Sequence, residues 1–335
     1  MDLTSFSEQL SNRLVGFCWD EWAQMGVMAS PKRSSSWTAD PEALIVFTLE
    51  VARADPRLFD EVLDWMLFNE RLLSVRRLRA ICTSATDRAL VDGAIGWLGW
   101  QRPRARLKAT ADSGSHSLEL LFPGGGPVAE ADPSFAAVGL LRPPLAPSHK
   151  SRAPDLTAPV NLGLRLRAVL GVGIRAEVIR VLLGTQAPWM TAQALAQTSA
   201  YAKRNVHEAL AGLTDAQVLI AFTVSGEQRY TIDKEIWAAL LQCPPGALPH
   251  HRDWPQLFSA LRAILRWSKA RTITDESDYL LASSARQLLD ELRPTLSFVG
   301  VPQRHTTAEQ AFDELERVTG ALLTALDVTL YALHP

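Results

Sequence analysis

Apolar residues along most of this chain recur at steps of three and four, the spacing that gathers them on one side of an α-helix. Leu10, Leu14, Phe17 and Cys18 mark such a face near the start, extended by Trp22 and Met25. Residues 31–36 (PKRSSS) form a polar link. Asp40-Pro41 and Asp55-Pro56 each read as a helix start, because the Asp side chain accepts a free backbone N–H and Pro suits the first turn. The first of these helices runs over residues 41–54. The second runs to about residue 68 and buries Phe59, Val62, Leu63, Met66 and Leu67. Ser74 caps a third over 75–83, and 87–97 is a fourth. Beyond residue 252, Asp253-Trp254-Pro255 opens a helix to about Lys269 with Leu257, Leu261, Ile264 and Leu265 inside. Residues 275–292 form another, which Pro294 should stop. Thr307 and Gln310 make a capping box for a last helix to about Ala332, with Phe312, Leu315, Val318, Leu322, Leu326 and Leu330 on one side. That stripe suits a long core helix or a dimer seam. Strict alternation is rare. Residues 116–122 read as a strand, broken by Pro123-Gly124-Gly125-Gly126-Pro127, and five prolines make 142–159 an extended connection. The pattern predicts a mainly α chain.

Residues 175–241 behave differently. Val178, Val181 and Leu182 define a short helix over 175–183, ended by Gly184 and Pro188. Thr191 is a good N-cap for a second helix that buries Ala194 and Leu195. After a tight turn at Gln197-Thr198-Ser199, a third helix runs over about 200–213. Its apolar side is Ala202, Val206, Ala209, Leu210 and Leu213. Arg204 points the other way, flanked by Ala200, Tyr201, His207 and Glu208, with Lys203 and Asn205 at the edges. Residues 218–224 and 228–232 then alternate as two strands, joined at Ser225-Gly226-Glu227. The 161–170 stretch is a short helix packed against this unit.

Helix, helix, helix, hairpin in this order resembles the winged helix-turn-helix of bacterial regulators of the MarR and ArsR kinds. The resemblance covers about 65 of the 335 residues. Leu210-Ala211-Gly212-Leu213 ahead of the wing and Arg229-Tyr230 on its second strand fit it most closely. It implies that the third helix enters the major groove of duplex DNA, where its N-terminal half meets base edges. On that reading Arg204 contacts a base and Asn205 could read adenine. Ser199, Tyr201, Lys203 and His207 serve phosphates or the groove. Thr191 and Gln193 clamp a phosphate at a helix N-terminus, and Gln228 and Arg229 approach the flanking minor groove or backbone. Residues 69–73 also form a turn between helices, so the N-terminal unit loosely resembles a second, degenerate winged helix. The plainer reading is a bundle whose Arg76, Arg77 and Arg79 form a solvated face.

Charge modifies this picture only locally. The net charge is −2 and the pI about 6.4, which argues against non-specific coating of nucleic acid. Over 161–241 there are eight basic and six acidic residues, the one part of the chain where bases prevail. Arg102, Arg104, Arg106 and Lys108 alternate as a solvated run or as an arm on phosphates. Glu208 and Glu227 oppose phosphate.

No run of 18 apolar residues predicts a membrane span, and the N-terminus is not a signal peptide. Cys18, Cys82 and Cys243 are isolated, without metal spacing, which fits a reducing, cytoplasmic setting. The seven histidines show no ligand spacing, the glycines make no phosphate loop, and adjacent acids such as Asp60-Glu61 diverge on a helix. No catalytic residue, metal or cofactor is therefore expected.

The domains expected are a helical unit over 1–100, an irregular or β segment with a Pro-rich linker over 101–160, a central winged helix over 161–243 and a helical C-terminal unit over 244–335, possible home of dimer contacts. The expected function is a non-enzymatic, DNA-binding transcriptional regulator that binds its operator as a homodimer, with any small-molecule effector open. The alternatives are an assembly subunit whose winged helix docks a protein, and an enzyme acting on nucleic acid or nucleotides.

Overall fold

α1 (Leu3–Gln24) carries the stripe read from its sequence: Leu10, Leu14, Phe17, Cys18 and Trp22 are all buried, with Met25 just beyond its end. The computed structural model describes residues 2–30, 36–102, 118–244, 246–272, 277–304, 307 and 309–327. α2 (Pro41–Val51) and α3 (Pro56–Asn69) begin at the two Asp-Pro pairs, Asp40 accepting from the N–H of Ala43 and Asp55 from that of Leu58. Every residue of α2 is buried, Glu42 and Glu50 included. Ser74 caps α4 (Val75–Ile81). α5 (Ala85–Gln101) starts earlier than its apolar pattern does, because Ser84 and Asp87 form a reciprocal capping box.

Residues 103–117 lie outside the described residues, and with them Arg104, Arg106, Lys108 and the start of the strand expected at 116. What is described of that strand is β1 (Glu119–Leu120). It pairs in parallel with β2 (Leu140–Leu141) across the short α6 (Pro133–Ala136). The proline-rich stretch then runs along α3, where Asp64 accepts from the backbone N–H of His149 at 2.9 Å and Ser151 at 3.1 Å.

α7 (Leu162–Leu170) leads into α8 (Ile174–Gly184), β3 (Met190–Thr191), α9 (Ala192–Ser199) and α10 (Lys203–Asp215). β4 (Ile220–Val224) and β5 (Glu227–Thr231) follow, then α11 (Lys234–Leu240). The strands form an antiparallel sheet in the order β3-β5-β4, with Met190 opposite Tyr230 and Phe222 opposite Arg229. β3 was not expected; two residues are too few to show a period.

The chain closes with α12 (Trp254–Thr272), α13 (Asp278–Phe298) and α14 (Ala311–Asp327). α13 does not stop before Pro294 but runs through it. The buried stripe Ala285, Leu288, Leu289, Leu292 continues at Leu296, so packing outweighs the hydrogen bond that Pro removes, a loss of about 3 kcal/mol. Leu315, Val318, Leu322 and Leu326 of α14 are buried within this chain, against α12, α13 and α1. Leu330 and His334 lie outside the described residues.

The structure is thus mainly helical, and its apolar interior falls into two clusters. One joins α1–α5 with α12–α14; the other lies under α8–α11. α7 serves both, giving Leu164 to the first and Leu162 and Leu166 to the second. No helix among the described residues is long and apolar enough to cross a membrane.

Candidate nucleic-acid interface

Thr191 accepts from the N–H of Ala194 at 3.2 Å and so starts α9. α9 runs through Ser199, further than the expected turn. Ala200 then takes the left-handed conformation (φ 56°, ψ 39°), and α10 begins three residues later than its pattern suggests. Val206, Ala209, Leu210 and Leu213 of α10 are buried as expected, while Ala202 is exposed.

The candidate residues divide into two groups. Lys203, Arg204 and His207 lie exposed on the solvent side of α10, with Gln193 exposed on α9 and Gln228 on β5. The Arg204 side chain is 88% exposed and its Nε lies 3.1 Å from Glu208. The others are engaged inside the molecule. Ser199 is fully buried, its hydroxyl donating to the Leu195 carbonyl at 2.6 Å, so it leaves the candidate phosphate contacts. Tyr201 packs toward α4; burial pushes its phenol up, opposed by a hydrogen bond with Ser74. Asn205 faces α4 as well: with its Oδ1 turned to the guanidinium, it accepts from Arg76 at 2.7 and 2.9 Å, which takes its amide from any base. The Thr191 hydroxyl is spent on the cap. The Arg229 guanidinium carbon lies over the Trp189 ring, 3.6 Å from its centroid.

α4 and α12 both approach this end of α10. Arg76 and Arg175, which the helical pattern did not single out as contacts, line a polar cleft of about 580 Å³ together with Tyr201, Asn205 and Glu208. A second cleft, of about 460 Å³, separates Gln193, Gln197 and Lys203 from Pro255, Gln256 and Ser259 of α12. The solvent side of α10 from Arg204 onward stays uncovered.

Behind the end of α9 lies a buried cluster of six charges. Arg77 pairs with both oxygens of Asp40 and lies 3.0 Å from Glu42. Arg167 bridges Glu42 and Glu177, each at 2.6 Å. Arg180 lies 3.0 Å from Glu177 and 3.6 Å from Asp40. All six side chains are at most 2% exposed. Burial pushes the carboxyls of Asp40 and Glu177 up, but the arginines beside them overcome it and hold both below the usual range. The Nε of Arg77 also donates to the Ser199 carbonyl at 2.9 Å, so the end of α9 is tied to α4. The sequence reading that set Arg77 on a solvated face is corrected here; a neighbour such as Arg76 is exposed, and nothing local tells the two apart.

Comparison of the chain with family models, with curated proteins and with solved structures finds no match.

Proposed function

We propose that the protein is a DNA-binding transcriptional regulator that works in the cytoplasm. Residues 161–243 act as its winged helix-turn-helix, set between the helical parts at 1–100 and 244–335, and the operator is bound by a homodimer. The observation that carries the reading is the solvent side of α10. It presents Arg204 and His207 clear of the flanking elements, with Lys203 exposed at the edge of the cleft to α12 and Arg76 and Arg175 on the other side. An arginine so exposed can take a guanine edge through both its donors, worth about 1–3 kcal/mol of discrimination. The engaged residues then support rather than touch: Ser199, Tyr201 and Asn205 fix the start of α10 against α4.

The test is retention of the DNA upstream of the chain's own coding region in a gel, with salt titrated. Affinity should fall steeply as salt rises, because phosphate contacts release counterions. Arg204→Ala should weaken specific retention by about tenfold or more while the melting temperature stays nearly unchanged, since its ion pair is solvent-exposed. Undiminished retention by this variant removes α10 as the reading helix.

A second reading, docking of a protein, is favoured by one specific feature. Ile220, Phe222 and Val224 alternate on the edge strand β4 and are 56%, 36% and 37% exposed. A wing that only met phosphates has no use for an apolar column. Phe222→Asp separates the two: loss of a co-purifying protein with DNA retention intact supports docking, and the reverse supports a wing on DNA.

A further inference from the structure

A cavity of about 930 Å³ lies away from α10, between the end of α8, one side of α11 and the loop before α12. Leu183, Ala238 and Leu248 give it apolar walls, and Lys234 and His250 line it as well. Lys234 donates to the Thr185 carbonyl at the end of α8, and among the described residues no carboxylate pairs with its ammonium. Its remaining donors are therefore open. Burial holds the lysine below its usual range. Burial, then the charge of Lys234, holds His250 below its own, so the imidazole is neutral near pH 7. Its Nδ1 lies 3.3 Å from the Gln186 amide nitrogen; with that nitrogen donating, the ring carries its proton on Nε2. Glu235, exposed at the rim, is the acid in the lining.

An ammonium with no carboxylate partner among the described residues, at an apolar-walled cavity, suits the carboxylate of a small anionic ligand. We infer that this cavity binds a small monocarboxylate with an apolar body, its carboxylate on Lys234 with His250 as a further donor and its body against Leu183, Ala238 and Leu248. The place has a structural meaning. The Gly184 carbonyl accepts from the His251 N–H at 2.8 Å, an approach so close that a Cβ on Gly184 would lie 2.6 Å from that nitrogen. On its other side the loop is joined to residues 36–38, His250 donating to Ser36 and accepting from Thr38. A ligand here touches both the α8–α11 unit and the loop that fastens it to the helical body.

The test uses the full chain and calorimetric titration of two acids, octanoate and benzoate, against 1-octanol and benzyl alcohol, which share their shapes without the charge. At least one acid should bind once per chain and about tenfold or more tighter than its alcohol. Lys234→Gln keeps a donor for the Thr185 carbonyl but no charge, so it should erase that preference and leave alcohol binding alone. Ala239→Trp, at an exposed position of α11 on the cavity wall, should weaken acid and alcohol together. The proposal is overturned if neither acid binds, if acids bind no tighter than alcohols, or if Lys234→Gln keeps the preference. Should that variant fail to fold, the tryptophan variant decides: acid affinity retained overturns the site, acid affinity lost at an unchanged melting temperature supports it. No DNA enters these measurements, so the site can fail without the regulator reading failing, and the converse.

Discussion

Asp253 and His251, two residues apart at the start of α12, pull the pH dependence of stability in opposite directions. Burial, with the charge of Asp40 adding to it, pushes the Asp253 carboxyl from 3.8 to about 7. The folded chain then holds a proton that the unfolded chain has released, so stability declines as pH rises from about 4 to about 7. One proton sets a slope of at most about 1.4 kcal/mol per pH unit. Burial and the neighbouring Arg180 push His251 from 6.5 down to about 3. Here the unfolded chain is the first to take up a proton, so this contribution is complete above about pH 6.5 and is lost as pH falls toward 3. Asp253→Asn keeps the acceptor that caps the Gln256 N–H, 3.2 Å away, and removes only the declining arm. Urea titrations at successive pH values should show the variant gaining on the parent between pH 4 and 7. A difference independent of pH would show that Asp253 titrates normally. At this scale the sequence was legible where a wheel position settles exposure, as for Arg204. It was not legible for Arg167, whose acceptor on Glu42 lies 125 positions away.

Among the elements, the join between α9 and α10 is where local preference and position conflict most. Ala200 occupies the left-handed region that glycine fills without cost, and an alanine there is strained by about 1 kcal/mol. The position is imposed from outside, by Arg77 on the Ser199 carbonyl and Ser74 on Tyr201. Ala200→Gly should therefore raise stability by about 0.5 kcal/mol, the relief of strain exceeding the extra freedom of the unfolded chain. A lower thermal midpoint would mean that the methyl group packs for more than its backbone costs. The same conflict hid the start of α10 from the periodicity, since Ala202 fits the apolar stripe and is yet outside the helix. Pro294 misled in the other direction: its chemistry signals an end, and only the burial of Leu296 two residues on shows why α13 continues. The longer stripes, as in α1 and α14, were legible because a dozen or more residues obey one period, whereas two-residue strands such as β3 obey none.

At the scale of the molecule, the six-charge cluster links the two apolar interiors. Asp40, Glu42 and Arg77 come from α4 and the start of α2; Arg167, Glu177 and Arg180 come from α7 and α8. Removing one member strands its partners in a dry interior, a loss of about 3–5 kcal/mol. Arg77→Met should thus lower stability by that amount. It should also turn one cooperative thermal transition into two, because it removes the tie of α4 to the Ser199 carbonyl at the end of α9, which joins the two halves. A single transition at an unchanged midpoint would mean that apolar contacts alone couple the halves. One consequence reaches any attempt to shorten the protein. Separated at residue 161, the first portion keeps an interior surplus of one negative charge and the second a surplus of one positive charge, and only their reunion is neutral. A fragment cut to residues 161–243 alone would then need a substitution such as Arg167→Met before it could be expected to stand by itself.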